Sequence, residues 1–368
     1  MSFQMPAYLA PDFTQPRFVD APNVAMAPAP RDGVAPEHFH STGIDPEYFK
    51  IDGKWVLAEK IRMDCVPVLR ENGVIDIVEF RHLKRGDTVL LGREEDGSEG
   101  IYVNSNPFAS KESAGLNFAF RKGRTRETGF SRDYQEIVEL LQHEKANGGY
   151  CVWVMGPAFT FDVQAREAFS KIVKAGYVQA VLAGNALATH DLEGALLHTA
   201  LGADITTQRT QYNGHYNHLD TINKVRAYGS IPAFLEGEKL TDGIIASCVQ
   251  CNVPFVLVGS VRADGPLPEV YHDVYAGQDD MRSHVKQATT VIGMATTLHT
   301  IATGNLTPSY HVEKDVNIRP VYFYSVDTSD FSANKLADRG SLSARGIVTN
   351  VQDFVVLLQK GLGLAKQD

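Results

Sequence analysis

Apolar residues in this chain fall in short runs separated by glycine, aspartate and serine, and the rhythm of those runs changes along its length. From Tyr48 to about Phe120 they occur in brief alternating segments: Lys54-Trp-Val-Leu-Ala58, Cys65-Val-Pro-Val-Leu69, Ile75-Asp-Ile-Val-Glu-Phe80, Thr88-Val-Leu-Leu-Gly92 and Gly100-Ile-Tyr-Val103. Alternation puts apolar side chains on one face of a strand, so this stretch predicts a small β-rich domain. Beyond Tyr134 the pattern becomes strand, glycine-containing turn, helix, repeated. The runs Tyr150–Met155, Val178–Ala183, Pro254–Val258, Thr290–Met294, Val321–Val326 and Gly346–Thr349 predict strands buried on both faces. Between them, Asp162–Ala175 sets Ala165, Ala168, Phe169, Ile172 and Val173 on one helical face, and Asp353–Leu362 reads as a closing amphipathic helix. The expected fold class is α/β: a doubly wound, mostly parallel Rossmann-like sheet preceded by a small β-rich domain.

The ends and joints carry weaker patterns. Met1 to Asp45 is rich in Pro, Ala and Phe without periodicity, as in Ala25-Met-Ala-Pro-Ala-Pro30, and is expected to be an extended arm lying on a partner subunit of a homo-oligomer. Arg121–Tyr134 is polar and charged, suited to a domain seam. The resulting divisions are 1–45 for the arm, 46–134 for the β-rich domain and 135–368 for the Rossmann-like domain.

Composition narrows the partners. The 368 residues carry a formal charge of 35 − 44 = −9, which offers no electrostatic footprint for a phosphate backbone, so nucleic acid is not an expected partner. No apolar run approaches the ~20 residues that a membrane helix needs. Four cysteines in so long a chain are too few for a disulfide scaffold, and no secretory leader opens the sequence; a cytoplasmic location is expected.

In open parallel sheets ligands sit beyond the carboxyl ends of the strands. There the sequence places Met155-Gly156-Pro, Gly184-Asn185-Ala, Gly259-Ser260-Val and Asp327-Thr-Ser-Asp330. Glycine lets a backbone approach a ligand closely, and the helix start behind it offers unpaired amides to a phosphate. Asp327, ending an apolar run, suits a ribose hydroxyl pair, although a helix cap explains it equally well. No Gly-x-Gly-x-x-Gly fingerprint occurs, so these turns alone leave the cofactor open.

Histidines and one acid form a second set. His215 and His218 lie three apart at a helix start, His299 follows the fourth strand, and Asp264 lies in the glycine-rich loop after the third. All are candidates for proton handling, against the plainer readings of capping, surface or core roles. A metal would need a third ligand that spacing does not supply, so none is expected. Cys248-Val-Gln-Cys251 lacks a second pair, and buried structural thiols are the better reading.

Taken in order, several blocks are also similar to a known family. Leu182-Ala-Gly-Asn-Ala-Leu-Ala-Thr-His-Asp191, Asn252-Val-Pro-Phe-Val-Leu-Val-Gly-Ser-Val-Arg-Ala-Asp-Gly-Pro-Leu-Pro268, Met294-Ala-Thr-Thr-Leu-His-Thr-Ile-Ala-Thr-Gly-Asn305 and Leu336-Ala-Asp-Arg-Gly-Ser341 resemble the archaeal and cyanobacterial ornithine cyclodeaminases. Upstream, Pro36-Glu-His-Phe39, Gly53-Lys-Trp-Val56, Arg62-Met-Asp64 and Lys84-Arg-Gly-Asp87 look like the small domain of that family. The resemblance spans about residues 35 to 358. With the glycine-rich strand ends, it implies an NAD cofactor held by Gly156, Gly184, Asn185, Gly259, Ser260, Asp327, Asp338 and Arg339, an amino-acid substrate met by Arg62, Asp64 and Asn305, and conversion of L-ornithine, or a related diamino acid, to L-proline, or a cyclic imino acid, with loss of ammonia. Two departures stand out: Met155-Gly156 where the family has Gly-Gly, and Asp327-Thr-Ser-Asp330 where it has Asp-x-Asn-Pro. A second reading keeps the NAD site but makes the chain a dehydrogenase or a deoxyhypusine-synthase-like transferase; a third makes it a non-catalytic NAD-binding regulatory module.

Overall fold

The computed structural model describes residues 3–108, 129–261, 265–313, 317–335 and 341–365. Its N-terminal part is two antiparallel sheets. Strands β1 (Ala25–Pro28), β2 (Glu47–Ile51), β3 (Lys54–Leu57), β4 (Val66–Leu69), β5 (Ile75–Val78), β6 (Thr88–Leu91) and β7 (Ile101–Val103) are ordered β1-β6-β4-β5 in one sheet and β3-β2-β7 in the other. Phe49, Ile61, Ile77, Leu90 and Ile101 form part of the core of this region.

The N-terminal stretch, expected to be an extended arm, packs on its own chain. A short helix, α1 (Pro16–Val19), buries Phe18, Phe13 stacks on Trp55 with centroids 5.0 Å apart, and β1 is an edge strand paired to β6. Lys50, buried in β2, explains how an aperiodic segment stays in place: its Nζ donates to the carbonyls of Phe18, Val19 and Ala21 at 2.6–3.0 Å. Those carbonyls lie near the end of α1, where the helix leaves acceptors unpaired.

After α2 (Ser131–Ala146), which starts inside the stretch expected to be a seam, the chain builds a seven-stranded, wholly parallel sheet. In chain order come β8 (Cys151–Met155), α3 (Val163–Lys174), β9 (Ala180–Ala183), α4 (Asn185–Leu197), the hairpin β10 (Thr199–Ala200) and β11 (Ala203–Asp204), then α5 (Asn217–Tyr228), α6 (Ile231–Gly237) and α7 (Ile244–Gln250). They are followed by β12 (Phe255–Val258), β13 (Val270–Tyr271), α8 (Val274–Val285), β14 (Thr290–Met294), α9 (Thr297–Leu306), the hairpin β15 (Tyr310–Val312) and β16 (Ile318–Pro320), β17 (Tyr322–Asp327), α10 (Asp330–Lys335), β18 (Ser343–Val348) and α11 (Val351–Gly361). The sheet order is β13-β12-β9-β8-β14-β17-β18. From β8 the chain works outward to β9 and β12, then returns to β14 and works outward the other way, so the order reverses between β8 and β14.

Packing follows the expected helix faces. In α3 the side chain of Asp162 caps the first turn, accepting from the Ala165 amide at 2.8 Å, and Ala165, Ala168, Phe169, Ile172 and Val173 are all buried. Trp153 fills the layer beneath and donates its indole N–H to the Tyr177 carbonyl at 3.0 Å. On the other face of the sheet Val152, Val154, Leu182 and Val291 pack with Met281 and Val285 of α8 and Leu306 of α9. The β15–β16 hairpin leaves the large domain to bury Tyr310 and Ile318 in the core of the small one. Polar bonds tie the same seam, among them the Ser309 amide donating to the Ile61 carbonyl at 2.8 Å and Arg81 meeting Asp279 of α8 at 2.6 Å. Among the described residues, no helix is long and apolar enough to cross a membrane.

Candidate active site

The reversal of strand order places the crevice between β8 and β14, where a parallel sheet of this kind takes its ligand. β8 and β14 run in register up to Met155 and Met294, and the Gly156 amide donates to the Met294 carbonyl at 2.9 Å. Backbones touch here: a Cβ on residue 156 would lie 1.9 Å from the Ala295 carbonyl oxygen, so no residue but glycine fits. Ala295 is itself in the left-handed region at φ 53°. One strand over, a Cβ on Gly184 would come within 3.3 Å of the His299 ring and 3.6 Å of the Val258 carbonyl. The His299 imidazole therefore lies over the bare glycine backbone at the start of α4.

Capping distinguishes the helices at this edge. The side chains of Asp162, Asp273 and Asn350 cap α3, α8 and α11, whereas α4 begins at Gly184 and α9 at Thr296 with no side-chain cap. First-turn amides of α4 and α9 are thus left to water or to an anion. Asn185 helps shape the neighbouring wall, its Oδ1 accepting from the Leu267 amide at 3.0 Å, and Gly259 donates to the Tyr271 carbonyl at 2.9 Å, with exposed Ser260 following. At the far side Asp327 Oδ1 accepts from the Ser329 amide at 2.9 Å, so it closes a turn rather than capping α10. Close by, Asp330 holds a buried Oδ1 with no partner, an acceptor that a hydroxyl donor would satisfy. Glycine cradles, uncapped helix starts and acidic acceptors are the complement of a dinucleotide's pyrophosphate and ribose.

The other expected site residues scatter more widely. His215 is exposed and lies against Tyr216 with centroids 4.2 Å apart, while His218 is half-buried and faces His190 at 6.0 Å. Arg62 is buried at the seam, its Nη1 2.9 Å from Glu79 and donating weakly to the Asn305 carbonyl at 3.5 Å. Its Nε and Nη2, and Asn305 Oδ1, have no partner. Asn305 lies six residues along α9 from His299, about 9 Å at 1.5 Å per residue, so this pair lines the seam below the crevice. Asp64 is exposed at φ 45°. Asp264, Asp338 and Arg339 lie outside the described residues. Of the two cysteines expected to be buried, Cys248 is and Cys251 is exposed. Burial pushes the Cys65 thiol up to about 11, which makes it a poor nucleophile. Among the described residues no cluster of His, Cys, Asp and Glu is placed to hold a metal.

Burial also lowers the pKa of His299, and of His284 and His311, because desolvation disfavours the imidazolium. Below an unfolded value of about 6.5 the unfolded chain takes up protons before the folded one. Stability is therefore expected to hold above that pH and to fall as pH drops through and below it. Thermal melts between pH 7.5 and 5.5 should show the decline, and His299→Asn should make it shallower.

Fold and crevice together define a Rossmann-fold protein of the dinucleotide-binding kind. Comparison with known proteins narrows the class, since residues 135–358 match the family model of the C-terminal Rossmann-fold domain of ArgZ-like arginine dihydrolases. The chain belongs to this family, together with the archaeal ornithine cyclodeaminases. It is 37% identical over 346 residues to the ornithine cyclodeaminase of Methanococcus maripaludis, covering 92% of this chain and 79% of that one. A crystal structure of a LOR/SDH protein from the same organism matches with a TM-score of 0.84 at 36% identity, covering 93% of this chain and 98% of that one. A crystal structure of AgrE as a ternary complex with ornithine and NAD+ matches with a TM-score of 0.58 at 30% identity, covering 94% of this chain and 46% of that one.

The sequence reading missed the polar cluster inside α4. Thr189, His190, Asp191 and Glu193 are all buried in a helix enclosed on nearly every side. Asp191 pairs with Arg166, and His190 Nδ1 lies 2.8 Å from Glu193 Oε2. The signal was present: four polar residues within five positions of an apolar frame require buried partners.

Proposed function

We propose that the chain converts L-ornithine to L-proline and ammonia with NAD held at the β8–β14 crevice. The observation that carries this reading is the meeting of bare backbones at Gly156 and Gly184 beside the uncapped starts of α4 and α9, within a chain of the ornithine cyclodeaminase family. When bound, NAD supplies a reversible acceptor for the α-hydrogen of the amino acid. The first-turn amides of α4 and α9 are assigned to the pyrophosphate, and Asp327 and Asp330 to the ribose. Arg62 retains donors for a carboxylate and Asn305 an acceptor for an ammonium, which supports their assignment to the amino acid, with Asp64 at the exposed side. The α-amine leaves and the δ-amine closes the ring, so the site must keep water from the imine that links the two.

Product analysis tests this against the alternatives. Ornithine should yield proline and ammonium in equal amounts with no net NADH, whereas a dehydrogenase accumulates NADH and a binding module gives neither. Carboxylates beside the ribose repel a 2′-phosphate, so NAD should bind more tightly than NADP. Asp327→Ala should weaken NAD by about 1–3 kcal/mol; calorimetry showing equal affinities for both cofactors would reduce Asp327 to a turn residue.

A further inference from the structure

We propose that His190 takes the proton from the substrate's α-ammonium, with Glu193 as its positioning residue; the inference rests on the cyclodeaminase reading and names a residue that reading does not. Glu193 is fully buried and fully engaged. Its Oε1 accepts from Thr199 Oγ1 at 2.7 Å and from the Gly202 amide at 3.2 Å, while Oε2 lies 2.8 Å from His190 Nδ1. Thr199 is held in turn by Asn217 Nδ2 at 2.8 Å. A carboxylate pinned in this way cannot turn aside, and it accepts from Nδ1–H, which fixes the tautomer and leaves the lone pair on Nε2. Nε2 has no hydrogen-bond partner among the described residues.

Position supports the same assignment. His190 lies six residues after Gly184, and helical side chains tilt toward the N-terminus, so its ring is carried back toward the carboxyl edge of the sheet. There it meets Phe161, the last residue of the turn that follows β8, at 5.8 Å, and His218 at 6.0 Å. Of the histidines around this edge, His215 is exposed, His218 and His299 have no carboxylate to orient them, and His190 alone has one among the described residues.

The step balances simply. The N–H bond of the α-ammonium breaks, a bond forms between that proton and Nε2, and the electron pair stays on the amine nitrogen, where it drives departure of the α-hydrogen. When ammonia leaves the ring-closed carbon the proton goes with it, so the imidazole ends neutral.

Wild type, His190→Ala, His190→Gln and Glu193→Gln should be assayed for proline formation, with NAD affinity measured by calorimetry and folding by thermal melts. Both His190 variants should retain NAD binding and lose about 10²–10⁴ in kcat, and imidazole added to His190→Ala should restore part of it. Glu193→Gln, which preserves the shape, should lower kcat with KM unchanged. If wild type makes proline and both His190 variants match its kcat, His190 has no role in the proton transfer. A loss of rate in His190→Ala that imidazole does not relieve, with Gln restoring full rate, assigns the residue to packing and likewise overturns the proposal. A wild type that binds NAD but makes no proline overturns the cyclodeaminase reading itself.

Discussion

Gly156→Ala is expected to abolish turnover and to weaken NAD binding more than any other single methyl added at the crevice. The new Cβ would sit 1.9 Å from the Ala295 carbonyl oxygen and 2.7 Å from its carbon, and both belong to backbone, which cannot rotate away. β8 and β14 are locked in register up to this point, so relief must come from the turn into α9, where Ala295 already has a positive φ. Overpacking of this kind costs about 1–3 kcal/mol, or roughly 5- to 150-fold in affinity where the distorted turn is the binding surface. Gly184→Ala is the milder companion, since the atom it meets first, at 3.3 Å, is on the His299 side chain. Calorimetry with NAD and thermal melts on both variants provide the check. A Gly156→Ala protein that binds NAD like wild type would place the cofactor elsewhere.

Arg166→Met is expected to be the most destabilising single change in the large domain. Arg166 is 1% exposed, and its guanidinium reaches Asp191 Oδ1 and the Asp191 carbonyl at 3.0 Å each and Asp242 Oδ2 at 2.9 Å. Burial alone would lower its pKa, but Asp191 first and Asp242 next hold it above the ordinary value. The clamp joins α3, α4 and the start of α7, where the Ile245 amide also donates to Asp191 at 2.8 Å. Removing the cation leaves Asp191 buried without its counter-charge, a loss of about 3–5 kcal/mol. At 2–4 °C per kcal/mol for large domains this lowers the melting temperature by about 6–20 °C. Arg166→Met combined with Asp191→Asn should recover most of the loss, because the orphaned charge is then gone. Full recovery of neither stability nor α4-dependent NAD binding in the double variant would show that the clamp is more than a charge pair.

These two sites differ in how well the sequence announced them. Gly156 and Gly184 were legible as glycines closing continuous apolar runs at the carboxyl edge of the sheet, although any strand-to-helix turn favours glycine, so the turns alone did not name a ligand. Arg166 was hidden, since its partners lie 25 and 76 residues away and a charged residue near the start of a helix normally faces water. β2 escaped notice for a related reason: Glu47 and Lys50 break its apolar pattern, yet both are buried, Glu47 beside His40 at 3.0 Å and Lys50 on the carbonyls of the N-terminal segment. β1 ends in proline and lies at a sheet edge, where alternation is not required. The β15–β16 hairpin lies far along the chain from the small-domain core it completes, and no local pattern encodes that return. His190 lies within the block Leu182–Asp191, but its spacing does not mark it, because Glu193 becomes its partner only once α4 is enclosed.

The most direct test of the account uses ornithine labelled with deuterium at the α-carbon and heavy nitrogen at the α-amine, incubated with the protein and NAD and followed by mass spectrometry. A cyclodeaminase returns the same hydrogen and expels the α-nitrogen, so proline should retain the deuterium and lack the heavy nitrogen, the label should leave as ammonium, and NADH should not accumulate. Proline without deuterium, heavy nitrogen retained in the ring, or a stoichiometric rise in NADH would contradict it.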